Sequence, residues 1–292
     1  MRSRFQTVTS EIVEERDDLV VLLGDIGVWA FRDAISRHPS RVLNFGILEQ
    51  AMISFAAGLS ASGFYPVVHS IAPFIVERPL EQIKVDFGYQ ALPGNLVSVG
   101  ASFDYASLGA THHCPGDIDA LLSVPGIQLF VPGHEDELES QMRTSFFNEK
   151  LSYFRLSEIS NSLPIFPNDS GVQTMRKGSN ASILCFGPTY QETMQAIGEE
   201  DFSVFYANEI SVKIASEALQ RARGSNLVVV EPFYEGSTAQ VFAEAAKDSP
   251  APVTFVGVPR AFIHSYGSMQ AQLERAGLAS EQLRNRLMKR FS

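Results

Sequence analysis

Asn44-Phe45-Gly46-Ile47-Leu48-Glu49-Gln50-Ala51-Met52 reads as the end of a buried strand, a glycine turn and the opening of a helix. An acid in the first helical turn complements the helix macrodipole, by roughly a few tenths of a kcal/mol. The same Glu49 also follows the carboxyl end of a strand, where open α/β sheets bind ligands. There an acid is partly desolvated and can donate or share a proton. Both readings fit these residues taken alone. Along the helix, Ala51, Ser54, Gly58 and Ser62 recur three or four apart on one face, which suits close packing within the chain or between subunits.

On either side of this stretch, short apolar runs rich in β-branched residues alternate with longer amphipathic segments. That alternation predicts mostly parallel sheets flanked by helices, an α/β fold. Strands are expected at 19–23, 42–45, 67–70, 96–99, 128–131 and 152–155, then at 181–186, 203–206, 226–230 and 253–256. Helices are expected at 7–17, 28–38, 49–62, 80–89, 118–123, 135–148, 189–197, 211–222, 237–246 and 268–276. Between 157 and 180 the pattern lapses into turn formers, the mark of a domain boundary. The expected organisation is a first domain over 1–165, a linker over 166–180 and a second domain over 181–292.

With 292 residues, 45% of them hydrophobic and 19% charged, the chain has the profile of a globular protein of about two domains. Its 21 glycines and 15 prolines are average usage and exclude collagen-like and low-complexity classes. A net charge of −10 with no clustered basic patch argues against a nucleic-acid partner. Two cysteines make no disulfide framework, so a cytoplasmic setting is expected. The first residues lack an apolar signal segment and no long apolar run follows, so neither export nor a membrane is expected.

Three further segments carry candidate chemistry. Ala110-Thr111-His112-His113-Cys114-Pro115-Gly116-Asp117 concentrates two of the six histidines in a loop bounded by glycine and proline. Neighbouring residues rarely share one metal, and no second ligand pair stands at zinc spacing. A Cys–His nucleophile lacks a group to orient its base. Imidazoles for proton transfer or for hydrogen bonds to a polar substrate remain, beside the plain alternative of surface histidines. Ser70-Ile71-Ala72-Pro73-Phe74-Ile75-Val76-Glu77-Arg78-Pro79 puts an aromatic and a charge pair just after a strand, with Phe74 equally readable as core. Gly24-Asp25-Ile26-Gly27 is a weak phosphate-turn signal, and the fuller glycine fingerprints are absent.

Taken in order, these segments resemble the C-terminal half of transketolase, its pyrimidine-binding domain followed by its C-terminal domain. Gly46-Ile47-Leu48-Glu49-Gln50-Ala51-Met52 is similar to the family's Gly-Ile-Arg-Glu-His-Gly-Met, and Gly109-Ala110-Thr111-His112 to its Gly-Pro-Thr-His. Leu129-Phe130-Val131-Pro132-Gly133 and Val230-Glu231-Pro232-Phe233 extend the likeness across both halves. The resemblance implies thiamine diphosphate as cofactor. It implies that Glu49 hydrogen-bonds N1′ of the aminopyrimidine and so promotes loss of the thiazolium C2 proton. It places His112 on substrate oxygens and in proton transfer, with His113 beside it, and Phe74 against the pyrimidine ring. Asp25 joins Glu49 and Phe74 among the residues expected on the cofactor.

The family holds the diphosphate through Mg²⁺, using Gly-Asp-Gly and an Asn about 25 residues later, oxygen ligands suited to a hard cation. Here Ile26 replaces the second glycine and Asn44 comes too early, so no metal ligand is expected in this chain. The resemblance then implies a separately encoded subunit carrying the diphosphate and Mg²⁺ side, and an α2β2 heterotetramer. A substrate-binding histidine and aspartate of transketolase are matched here by Gly100 and Leu108. The expected reaction is therefore transfer of a two-carbon ketol unit between sugar-like ketoses and aldoses, modified or phosphorylated or neither. Arg155, at a strand end, either binds an anion of the substrate or forms a structural salt bridge. The alternatives are the β subunit of a 2-oxoacid dehydrogenase and a non-catalytic subunit of the same fold.

Overall fold

The computed structural model describes every residue except 170, 224, 249 and 292. The first half contributes β1 (Leu19–Leu23), β2 (Val42–Asn44), β3 (Tyr65–Ile71), β4 (Gly94–Val99), β5 (Gln128–Phe130) and β6 (Leu151–Arg155). The second contributes β7 (Gln173–Arg176), β8 (Ala181–Phe186), β9 (Phe202–Ala207), β10 (Glu209–Ile210), β11 (Leu227–Tyr234) and β12 (Val253–Val258). A seven-stranded sheet runs in the order β10-β5-β6-β4-β3-β1-β2 and a five-stranded sheet in the order β12-β11-β8-β9-β7. Pairing is parallel except at one edge of each, β10 on β5 and β7 on β9. Two mostly parallel sheets flanked by helices are what the alternation of apolar runs predicted.

Every residue of β1, β4 and β6 is buried, as expected for strands covered on both faces. One consequence is a buried imidazole: His69 of β3 holds the Val97 carbonyl at 2.8 Å, and burial lowers its pKa to about 4. The ring is therefore neutral inside the core.

The two halves are laced together beyond what the expected linker implies. Residues 173–176, read as linker, form β7, and β10 reaches back to pair with β5 of the first sheet. Both are short and close a sheet edge, so their apolar period is too brief to register in sequence. The C-terminal helix Ser280–Phe291 is also absent from the expected elements; only Leu283 and Leu287 of its face are buried. The helix expected over 28–38 narrows to Arg32–Arg37 because a turn around Gly27, at φ +86°, occupies its start. Among the described residues, no helix is long and apolar enough to cross a membrane.

Candidate active site

The helix Glu49–Ala61 starts three residues past Gly46, whose φ is +73°. A Cβ there would meet nothing within 4 Å, so the left-handed backbone, rather than crowding, calls for glycine. Met52, Ile53, Ala56, Ala57 and Ser60 bury one face of the helix. Glu49 lies on that side: its side chain is 1% exposed, Oε2 accepts from Arg78 Nη1 at 2.7 Å, and Oε1 is buried without a partner. A buried carboxylate oxygen with no donor is costly, so Oε1 calls for a hydrogen-bond partner that the described residues do not supply.

The next group comes from the carboxyl end of β3. Pro73–Glu77 is a widened, π-type helical turn, a feature frequent at functional sites. It carries Phe74, Glu77 and, at its end, Arg78. The Arg78 guanidinium lies over the Phe74 ring at 4.3 Å while it holds Glu49. From the loop after β4, His112 meets the Phe74 ring edge-on at 5.2 Å and Tyr105 at 6.0 Å. Thr111 Oγ1 contacts His112 Nδ1 at 2.9 Å. Glu49, Phe74 and His112 thus converge from the ends of three strands, with Arg78 linking the first two.

Gly100 has φ +82°, and a Cβ there would come 2.6 Å from Tyr105 Cε2. Tyr105 fills the space a histidine at 100 would need. Leu108 is 46% exposed beside it.

His113 points elsewhere. It is buried, stands edge-on to Phe103 at 5.1 Å, and burial lowers its pKa. Its Nε2 has no partner. Glu77 is exposed as a residue, and partial desolvation of its carboxyl raises it above the ordinary range. Cys114 Sγ donates to Glu77 Oε1 at 3.5 Å, and burial holds that thiol well above its ordinary pKa, so it stays protonated.

Asp25 has φ +65° and pairs with Asn44: its backbone N–H donates to Asn44 Oδ1 at 3.1 Å and its Oδ1 accepts from Asn44 Nδ2 at 3.2 Å. Asn44 Oδ1 also takes the Gly46 N–H at 3.1 Å. Asp25 therefore braces the turn that presents Glu49. Among the described residues, no group of three or more His, Cys, Asp or Glu could hold a metal ion.

Of the two readings of Arg155, the structure shows the salt bridge. Its guanidinium is 1% exposed and bonded to Asp117 Oδ2 at 2.7 Å and Ser102 Oγ at 2.7 Å. That is the salt-bridge alternative, although the side chain also borders a cavity of about 40 Å³ with Ser102, Asp104 and Ser157. Arg78 and Glu77 are the functional candidates that sequence reasoning passed over. Both stand in the quoted segment after β3, and the signal was a charge pair at a strand's carboxyl end.

Residues 1–162 match the family described as transketolase, pyrimidine binding domain. An uncharacterised 33.6 kDa protein in the fasciation locus of Rhodococcoides fascians is 35% identical, over 89% of this chain and 84% of that protein. A subunit of the apulose-4-phosphate transketolase of Actinobacillus succinogenes is 29% identical, over 75% of this chain and 74% of its own length. A solved structure titled split gene transketolase, inactive beta4 tetramer, superposes with a TM-score of 0.84 at 24% identity, over 99% of this chain and 97% of that one.

Proposed function

The chain belongs to the transketolase family through its pyrimidine-binding domain, and on that premise we propose that it is one subunit of a thiamine diphosphate-dependent enzyme moving two-carbon ketol units between sugar-like substrates. The observation that carries this reading is Glu49 Oε1, a buried carboxylate oxygen without a partner, set beside Phe74 and His112. Those residues fit the aminopyrimidine half of the cofactor. Oε1 offers the hydrogen-bonding site for a ring nitrogen. Phe74 sets an aromatic ring beside that oxygen, one face covered by the Arg78 guanidinium, and a ring of this kind is a packing surface for a flat heteroaromatic group.

Bound thiamine diphosphate supplies a thiazolium that serves as nucleophile and electron sink, chemistry no side chain here provides. The chain's own residues supply orientation and proton handling. Glu49 exchanges a proton at Oε1 while Arg78 fixes Oε2, so the carboxyl presents one defined edge. His112, half-buried against Phe74 and Tyr105, is positioned to give or take a proton at a substrate oxygen. The diphosphate and Mg²⁺ belong, on this reading, to a separately encoded subunit in an α2β2 heterotetramer. The Actinobacillus relative supports that division, because it is named as one subunit of a transketolase and is of similar length to this chain.

The test is reconstitution with the partner subunit and a ketose donor. Glu49→Ala is expected to lose nearly all turnover, and retained activity sinks the assignment. Calorimetry should show tight thiamine diphosphate and Mg²⁺ binding only when both subunits are present; tight binding by this chain alone contradicts the divided site.

A further inference from the structure

Next to the groups around Glu49 lies a cavity of about 80 Å³, several times the space one water needs. Glu77, His113 and Phe103 come from the first half of the chain, and Tyr234, Phe262 and Ile263 from the second. It is a built site. The Tyr234 N–H bonds the Pro115 carbonyl at 2.9 Å, and Arg260, just before the Phe262 segment, forms a two-pronged pair with Asp119. Tyr266 packs against Gly109, where a Cβ would stand 2.6 Å from its ring, so the second half's loop is seated on the His112 loop.

The polar groups in this cavity ask for hydrogen-bond donors. The His113 ring is buried, and its Nε2 is a nitrogen left without a partner. With the other nitrogen as the donor, Nε2 is a lone-pair acceptor. The residue is 7% exposed and lines the cavity. Among the described residues, the one hydrogen bond to the Glu77 carboxyl is the weak one from the Cys114 thiol. Among the described residues, no lysine or arginine lines the space. Arg260 sits over the Tyr234 ring at 5.4 Å and is paired with Asp119, and Arg78, next to Glu77 in the chain, is paired with Glu49. A phosphate here would face the Glu77 carboxyl group with no cationic side chain on the lining to hold it.

We propose that this cavity receives the non-reacting end of the substrate and selects an uncharged, hydroxyl-bearing group over a phosphorylated one. The proposal rests on the reading that Glu49, Phe74 and His112 form the reaction centre. It adds what that reading leaves open, the chemical class of the substrate. Hydroxyl hydrogens satisfy His113 Nε2 and Glu77, while Phe103, Phe262 and Ile263 cover the carbon skeleton.

The test uses the full chain with ¹⁵N-labelled histidine and two matched probes, D-xylulose and D-xylulose 5-phosphate. The His113 ring signal, assigned by its loss in His113→Gln, is followed through each titration. D-Xylulose is expected to move it saturably and to bind at least roughly tenfold tighter than the phosphate ester. Glu77→Gln keeps an acceptor oxygen and removes the negative charge, so it should narrow that preference by raising affinity for the ester. Phe262→Ala, at a side chain 75% exposed, should weaken D-xylulose binding several-fold without changing the melting temperature, and so serves if Glu77→Gln is poorly folded. The subsite is overturned by a lack of saturable response to D-xylulose, by equal or tighter binding of the ester, or by a preference untouched in both variants. These titrations use neither cofactor nor partner. Loss of sugar selectivity with Glu49-dependent turnover intact removes the subsite alone; the converse removes the reaction reading alone.

Discussion

Arg155 Nε donates to Asp117 Oδ2 at 2.7 Å, and the two side chains are 1% and 0% exposed. Tyr153 OH donates to the same oxygen at 2.8 Å, and Arg155 Nη2 reaches Ser102 Oγ, which donates to the Pro232 carbonyl. The relay ties the helix after the histidine loop to the second half of the chain. Removing one charge leaves the other buried and unpaired, at a cost of about 3–5 kcal/mol. Arg155→Met should lower the denaturant midpoint accordingly, and adding Asp117→Asn should recover much of the loss. An unchanged midpoint in the single variant contradicts the structural role.

Glu137 is a second knot between the halves. Its oxygens accept from Gly133 N–H at 3.0 Å, Ile165 N–H at 2.8 Å, Tyr206 OH at 2.5 Å and Asn208 Nδ2 at 3.0 Å. All four partners are donors, so an amide cannot replace the carboxylate without setting its own N–H₂ against one or more of them. Glu137→Gln is therefore expected to cost about 2–3 kcal/mol despite its near-identical shape. Calorimetric melting of the two proteins checks this, and a cost within error of zero refutes it.

The parallel core was legible because a strand covered on both faces must be apolar along its length, as Leu19–Leu23 is. That the segments of Glu49, Phe74 and His112 follow strand ends was legible in the alternation, and the roles expected of them came from the resemblance to transketolase. What escaped depends on pairing across distance. Glu209 and Ile210 look like a loop until Leu129 and Phe130 pair with them. Arg155 stayed open between an anion site and a salt bridge because nothing local announces Asp117, whose carboxylate comes from a separate segment. Arg78 was legible only as half of a charge pair after a strand, and the carboxylate it holds is one that the fold carries to it.

Asp104 is buried at the junction of the halves, where Ser157 Oγ and Glu158 N–H each donate to it at 3.1 Å. Burial nonetheless pushes its carboxyl from 3.8 to about 7, against the opposing charge of Arg155. The folded state thus holds this proton more tightly than the unfolded chain. The stabilisation is whole below about pH 4 and is lost as pH rises through about 7. Asp104→Asn cannot ionise, so its stability relative to wild type should rise by roughly 4 kcal/mol between about pH 4 and 8. Glu231, raised to about 7, and His69, lowered to about 4, titrate alike in both proteins and cancel in the difference. A pH-independent difference between the two denaturation series removes Asp104 as the titrating group.

Arg78 is 43% exposed, yet the Glu49 side chain it holds is 1% exposed. An exposed ion pair contributes little, about 0–1 kcal/mol, but losing this one strands a carboxylate inside the fold. Arg78→Met should destabilise the chain by about 1–2 kcal/mol, softened by the helix N-terminus on which Glu49 sits. In the Glu49→Gln background the same change should cost far less, because the buried charge is already gone. The double-mutant cycle in chemical denaturation measures that coupling. Arg78→Lys should restore stability in part but not the single presented edge, since a point charge does not reproduce a planar fork stacked on Phe74. In the reconstituted enzyme, Arg78→Lys is accordingly expected to keep the fold while weakening thiamine diphosphate binding. Full cofactor affinity in both Arg78 variants rules out a positioning role for this side chain.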